Sequence, residues 1–133
     1  MQLILGGARS GKSRLAEQIA QQLAQPVIYV ATAQALDGEM QARIQHHQQQ
    51  RPEDWGLCEE PIYLAEQLLK LDRPNQTILV DCLTLWMSNL LMHADPDLQV
   101  QECQKLLDVV GNLQSELILV SNETGLGLSL IHI

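Results

Sequence analysis

A chain of 133 residues with 46% hydrophobic and 18% charged residues has the balance of one globular domain, not of a disordered segment. Its net charge of −8 argues against general nucleic-acid binding, and three cysteines at unrelated spacings give neither a disulfide framework nor a zinc pattern. The opening MQLIL has no basic region and too short an apolar run for a signal peptide, and no segment is long enough to span a bilayer, so a reducing cytoplasm is expected. The charge is uneven. Residues 1–51 carry five bases (Arg9, Lys12, Arg14, Arg43, Arg51) and three acids, a balance of +2, while the remainder carries three bases and thirteen acids, −10. An acidic protein that gathers its arginines near one loop is expected to use them on a small anion.

The first element is a buried strand, QLIL (2–5). It runs into GGARSGKS, Gly6 through Gly7, Ala8, Arg9, Ser10, Gly11 and Lys12 to Ser13, which fits G-x-x-x-x-G-K-[ST] between a strand and a helix. Glycines allow the backbone to curl so that successive N–H groups face phosphate oxygens, and the following helix adds its positive dipole end. Lys12 is expected to reach the β/γ oxygens, and Ser13 to offer its hydroxyl to Mg²⁺. The helix KSRLAEQIAQQLA (12–24) is expected to bury Leu15, Ile19 and Leu23 along one stripe. A second buried strand is PVIYVAT (26–32).

Residues 38–51 form a helical pattern, with Asp37 as a plausible N-cap. Arg43, His47 and Arg51 fall at i, i+4 and i+8 on one face, whereas His46 is turned about 100° away. Two guanidinium groups beside an imidazole suit an anionic phosphate and favour the neutral ring, a nucleophile able to attack an α-phosphate. The alternative is a polar helix face with incidental histidines, to which His46 is assigned. Further on, PIYLAEQLLKL (61–71) and VQECQKLLDVVGNL (100–113) are helical by spacing, and TILVD (77–81) and ELILVS (116–121) are buried strands. Asp81 closes its strand where a metal-binding acid belongs, at the carboxyl end of a parallel strand beside the phosphate loop, acting on Mg²⁺ through water or else only capping a turn. The alternation predicts an α/β fold: a P-loop NTPase-like (RecA-like), doubly wound, mainly parallel sheet flanked by helices. Trp55 and Trp86 are read as core or subunit contacts, Cys58 and Cys82 as buried packing, and His93 and His132 as surface residues. Asn122 and Glu123 are either substrate-positioning or turn residues.

A phosphate loop with a metal acid covers kinases, ATPases and GTPases alike. The phrases GGARSGKSR, YVAT, E-M-x-x-R-I-x-x-H-x-x-x-R-P-x-x-W (Glu39 to Trp55), LVDCLTLWMSNLL (79–91) and NETGLG (122–127) are more specific. Together they resemble the bifunctional adenosylcobinamide kinase/adenosylcobinamide-phosphate guanylyltransferase family of cobalamin biosynthesis. The resemblance implies phosphorylation of the aminopropanol hydroxyl of adenosylcobinamide by ATP or GTP. Transfer of GMP from GTP then follows through a covalent guanylyl-histidine, giving adenosylcobinamide-GDP. The family's histidine falls on His47. Nucleotide contacts are implied at Gly7 to Arg14, at Ala31, Thr32 and Ala33, at Gln48, Gln49, Gln50 and Arg51, and at Glu59 and Asp81. Mg²⁺ is the expected cofactor, and adenosylcobinamide, its phosphate, ATP and GTP are the expected partners; rings of subunits, typically homotrimers, are implied as well. After NETGLG the family continues through a turn, a helix and closing strands, whereas this sequence reads LSLIHI. A single P-loop domain over 1–133, incomplete after about residue 127 and with one sheet edge left open, is therefore expected. Two other readings of the same residues are a P-loop kinase for another small hydroxyl acceptor and a nucleotide-binding fragment without catalysis.

Overall fold

Strand and helix alternate because short apolar runs alternate with amphipathic stretches. The computed structural model describes residues 2–6, 12–32 and 55–122. They form β1 (Gln2–Gly6), α1 (Lys12–Gln22), β2 (Val27–Ala31), β3 (Gly56–Glu59), α2 (Leu64–Leu71), β4 (Thr77–Asp81), α3 (Leu83–Leu91), α4 (Pro96–Val110) and β5 (Glu116–Asn122). The five strands make one sheet in the order β1-β5-β4-β2-β3, parallel throughout. The expected α/β architecture with a parallel sheet is what the chain adopts. No helix among the described residues is long and apolar enough to cross a membrane.

Each central strand is buried on both faces, so alternate residues feed two cores. Val27, Tyr29, Ala31, Leu79, Ile118 and Val120 pack with Ala16 and Ala20 of α1 on one face. Val30, Ile78, Val80, Leu117 and Leu119 pack on the other with Leu64 and Leu68 of α2, Trp86 and Leu90 of α3, and Leu106 of α4. The result is a three-layer sandwich, helix on sheet on helices.

Four details depart from the sequence expectation. The residues of α1 buried against the sheet are Ala16 and Ala20, with Ile19 and, just past the helix, Leu23 half-buried beside them, while Leu15 is 49% exposed; methyl side chains let the helix lie against the sheet. The short edge strand β3 and the helix α3 lie where no element is expected from spacing. Helix α3, LTLWMSNLL, buries Leu83, Trp86, Met87 and Leu90 at helical spacing, a pattern obscured in the sequence by the apolar Leu85 and Leu91, and its N-cap is Cys82, whose Sγ accepts from the Leu85 N–H at 3.4 Å. Helix α4 starts at Pro96, four residues before the expected point, with the Asp95 side chain accepting from the Asp97 N–H at 3.0 Å. An Asp followed by Pro is a helix-start signal that the apolar spacing did not register. Finally, β4 is not the neighbour of β1. Strand β5 lies between them, which sets Asp81 two strand spacings, roughly 10 Å, from the strand that feeds the phosphate loop.

Candidate active site

Parallel strands bring every strand exit to one edge of the sheet, and in such sheets that edge is where ligands bind. Gly6 ends β1 there, and Lys12, Ser13 and Arg14 open α1 after five intervening residues, so the helix N-terminus lies at the same edge. Residues paired across parallel strands point to one face. Glu59, Ala31 and Asp81 are paired in a single row across β3, β2 and β4. The row belongs to the α1 face, since Ala31 packs in that core. Two carboxylates and the start of α1 therefore share one side of one edge. Glu59 is exposed, Asp81 half-buried and Ala31 buried between them.

Asp81 is held from below. Tyr29, two residues before Ala31 on the same face, donates its phenolic O–H to Oδ2 of Asp81 at 2.5 Å. A carboxylate oxygen is the hard donor that Mg²⁺ accepts, usually with only one or two carboxylates plus substrate phosphates. Asp81 fits that role by donor type and by its place at the strand exit. Among the described residues no group of three His, Cys, Asp or Glu converges as a protein-only metal cage, and Mg²⁺ at a phosphate site needs none.

Thr32 is one of the residues expected at the nucleotide. It is fully buried, and every polar group it has is engaged internally. Its N–H donates to the Asp81 carbonyl at 3.1 Å. Its hydroxyl donates to the Cys82 carbonyl at 2.7 Å and accepts from the Cys82 N–H at 3.0 Å. Its carbonyl accepts from the Asn89 side chain at 2.8 Å. Thr32 thus knots the exits of β2 and β4 to helix α3. Asn89 also donates to the Pro61 carbonyl at 3.1 Å, and the indole N–H of Trp86 donates to the Ile62 carbonyl at 2.8 Å. The hydroxyls of Thr84 and Ser121 are 3.0 Å apart. Helix α3 therefore ties down the exits of β2 and β5 and the loop after β3. Glu60, next to Glu59, serves the fold: its Oε2 accepts from the N–H groups of Ile62 and Tyr63 at 3.1 and 3.0 Å, ahead of α2.

Trp86 is wholly buried, as expected, and Trp55 is half-buried against the α1-side core. Cys58 and Cys82 are only half-buried and both act as weak acceptors, Cys58 from the Gln67 amide at 3.0 Å, so packing is not their sole part. His93 is exposed, with Nδ1 accepting from the Asp95 N–H at 3.1 Å. Gly7 to Gly11, Ala33, the expected histidine helix with His46, His47 and Gln48 to Arg51, Glu123, His132 and the expected point of incompleteness near residue 127 lie outside the described residues.

Residues 2–131 match the family described as cobinamide kinase / cobinamide phosphate guanyltransferase. The chain belongs to that family. It is 54% identical over 125 residues to the bifunctional adenosylcobalamin biosynthesis protein CobP of Pseudomonas aeruginosa, covering 94% of this chain and 72% of that protein. Over 141 residues it is 40% identical to the CobU protein of the same description from Escherichia coli, covering 96% of this chain and 77% of the relative. The Salmonella typhimurium CobU protein is 39% identical over the same shares. Tyr29, Asn89 and Glu60 carry no motif of their own. A reading of the sequence passes them by, and only the phrases YVAT and LWMSNLL, which contain two of them, mark the neighbourhood.

Proposed function

We propose that this chain carries out two successive reactions at the carboxyl edge of its sheet. The first phosphorylates the aminopropanol hydroxyl of adenosylcobinamide, with ATP or GTP as donor. The second transfers GMP from GTP to the new phosphate and yields adenosylcobinamide-GDP. The observation that carries the reading is the shared edge: the start of α1, Asp81 and Glu59 lie on one face of it, in a chain whose family is bifunctional. Lys12 is the group that meets charge on the transferring phosphoryl oxygens, aided by the N–H groups of the loop from Gly6 to Ser13. A magnesium ion would be held by the Ser13 hydroxyl and, through water, by Asp81; when bound it neutralises charge on the phosphates.

The second reaction needs a carrier, and His47 is the residue proposed. A ring nitrogen attacks the α-phosphorus of GTP; a P–N bond forms as the P–O bond to pyrophosphate breaks, and pyrophosphate leaves with that electron pair. An oxygen of the cobinamide phosphate then attacks the same phosphorus, and the P–N bond returns its pair to the imidazole. Arg43 and Arg51, four residues before and four after His47 in the sequence, are proposed to hold the phosphates during both steps. The cytoplasm is the proposed compartment, supported by three cysteines at spacings that give no disulfide framework.

Incubation with GTP and Mg²⁺ followed by intact-mass measurement tests the reading. The expected result is a gain of one GMP unit, labile in acid, that is lost in His47→Ala and kept in His46→Ala. His47→Ala should retain phosphorylation of the hydroxyl, because the phosphate loop needs no histidine. An adduct mapped to His46, or one surviving in His47→Ala, overturns the assignment of the carrier.

A further inference from the structure

We infer that Tyr29 is a positioning residue for the Asp81 carboxylate, and that it sets how readily the site takes up its metal ion. The inference rests on the reading of Asp81 as the acid that acts through Mg²⁺. Tyr29 is 4% exposed and lies on β2, hydrogen-bonded to β4 with Tyr29 paired to Leu79. Asp81 is two residues beyond Leu79, so the phenol reaches its diagonal neighbour on the same face, a distance that aromatic side chains span across strands. The contact of 2.5 Å to Oδ2 lies at the short end expected for an O–H donor and a charged acceptor.

Both ends of the bond are immobilised. The ring packs in the core with Val27, Ala31, Leu79, Ile118 and Val120. The backbone of Asp81 is fixed by the β-ladder to β2 and β5 and by the Thr32 N–H on its carbonyl. With Oδ2 anchored, the plane of the carboxylate is set before any ligand arrives. A half-buried carboxylate that must meet a hydrated ion gains from this, because the rotamer freedom of Asp81 is spent in folding, not on binding. Partners in this relation to a metal ligand typically change metal affinity about 10–100-fold when removed. A buried phenol also needs a hydrogen-bond partner for its own sake, so a purely structural role is the competing account. The two accounts differ in what the hydroxyl does to magnesium.

Tyr29→Phe removes only the hydroxyl and keeps the ring in its core. The probe is binding of a fluorescent ribose-labelled GTP as Mg²⁺ is titrated, which reads metal demand without turnover. In the parent background, Tyr29→Phe is expected to raise the Mg²⁺ concentration for half-maximal binding about tenfold. Nucleotide affinity at saturating Mg²⁺ should stay within about twofold. In an Asp81→Asn background the same change should add nothing, since the group it orients is gone. An unchanged magnesium midpoint in Tyr29→Phe, together with a raised one in Asp81→Asn, overturns the inference and leaves the metal role of Asp81 standing. An unchanged midpoint in Asp81→Asn overturns both. Additive shifts in the double variant mean that Tyr29 acts elsewhere, which overturns the inference as well. A matched fall in melting temperature with no change in the midpoint assigns the hydroxyl to the fold alone.

Discussion

Glu102 is where folding energy stands to be gained. It occupies the buried stripe of α4 between Leu98 and Leu106 and is 1% exposed. Neither carboxylate oxygen has a hydrogen-bond partner among the described residues. Lys105, one turn on, brings its ammonium to 3.2 Å from Oε2, a charge contact without hydrogen-bond alignment, and its own side chain is 62% exposed. Exchanging a buried ion pair for apolar side chains of similar size is often neutral or stabilising, by about 1–4 kcal/mol. Here only the glutamate changes and the lysine returns to water, so the lower part of that range applies. Glu102→Met keeps the length of the side chain and is expected to add about 1–2 kcal/mol. For a chain of this size that corresponds to a rise of roughly 4–8 °C in melting temperature. Lys105→Ala should move stability the other way by about 1–2 kcal/mol, less than for a fully buried pair because the ammonium is mostly in water. Denaturant unfolding gives the measure, with a shifted midpoint at unchanged slope. A second readout is Cys103, whose thiol is pushed up by burial and, after that, by the charge of Glu102. Alkylation of Cys103 at mildly alkaline pH should therefore speed up in Glu102→Met. A Met variant destabilised by 1 kcal/mol or more, with Cys103 reactivity unchanged, refutes this reasoning and means that the carboxylate finds a donor in the assembled protein.

Asp72 joins the end of α2 to the entry of β5, accepting the N–H groups of Gln114 and Ser115 at 2.9 and 2.8 Å. Burial raises its pKa, but these bonds, with the Ser115 hydroxyl and the Arg73 N–H, outweigh that and hold it below the ordinary carboxylate value. A depressed carboxylate contributes stability that is present above its unfolded pKa of about 4 and is lost as pH falls through the folded value. Asp72→Ala should thus cost about 2 kcal/mol at pH 7 and progressively less below pH 4 in melts across pH; a gap independent of pH sinks the argument. Ala24, just past α1, has φ 54, a left-handed conformation costly for any residue with a Cβ. Ala24→Gly is expected to stabilise by up to about 1 kcal/mol, and a loss of stability on thermal melting would count against it. Lys12→Ala should abolish both proposed reactions, since one phosphate contact serves both; wild-type phosphorylation in a coupled kinase assay refutes it.

What was legible in the sequence follows from how strongly each feature repeats. Four strands were plain because a parallel sheet demands apolar residues on both faces, and the phosphate loop was plain because its spacing is rare. Leu15 misled, since a helical stripe centred on the large side chains is a natural choice. The helix instead turned its two alanines, Ala16 and Ala20, to the sheet. Strand β3 has four residues, three of them exposed, so neither periodicity nor hydropathy marks it. The row Glu59–Ala31–Asp81 exists only through register between strands far apart in sequence, and the same is true of the bond from Tyr29 to Asp81. The position of β5 between β1 and β4 is topological and leaves no trace in any single segment.

The three ties made by α3 also bear on insertions and deletions. Thr84 reaches the exit of β5, Trp86 the loop after β3, and Asn89 both that loop and the exit of β2, so the helix is fixed in rotation and in height at once. Adding one residue ahead of Thr84 turns the helix about 100° and advances it by about 1.5 Å, and it disengages all three side chains together. Between Cys82 and Asn89 the chain length should consequently be invariant even where residue identity drifts. The turn at Gly111 and Asn112, exposed at the end of α4, has no such ties to the carboxyl edge among the described residues and is the natural place for the chain to lengthen.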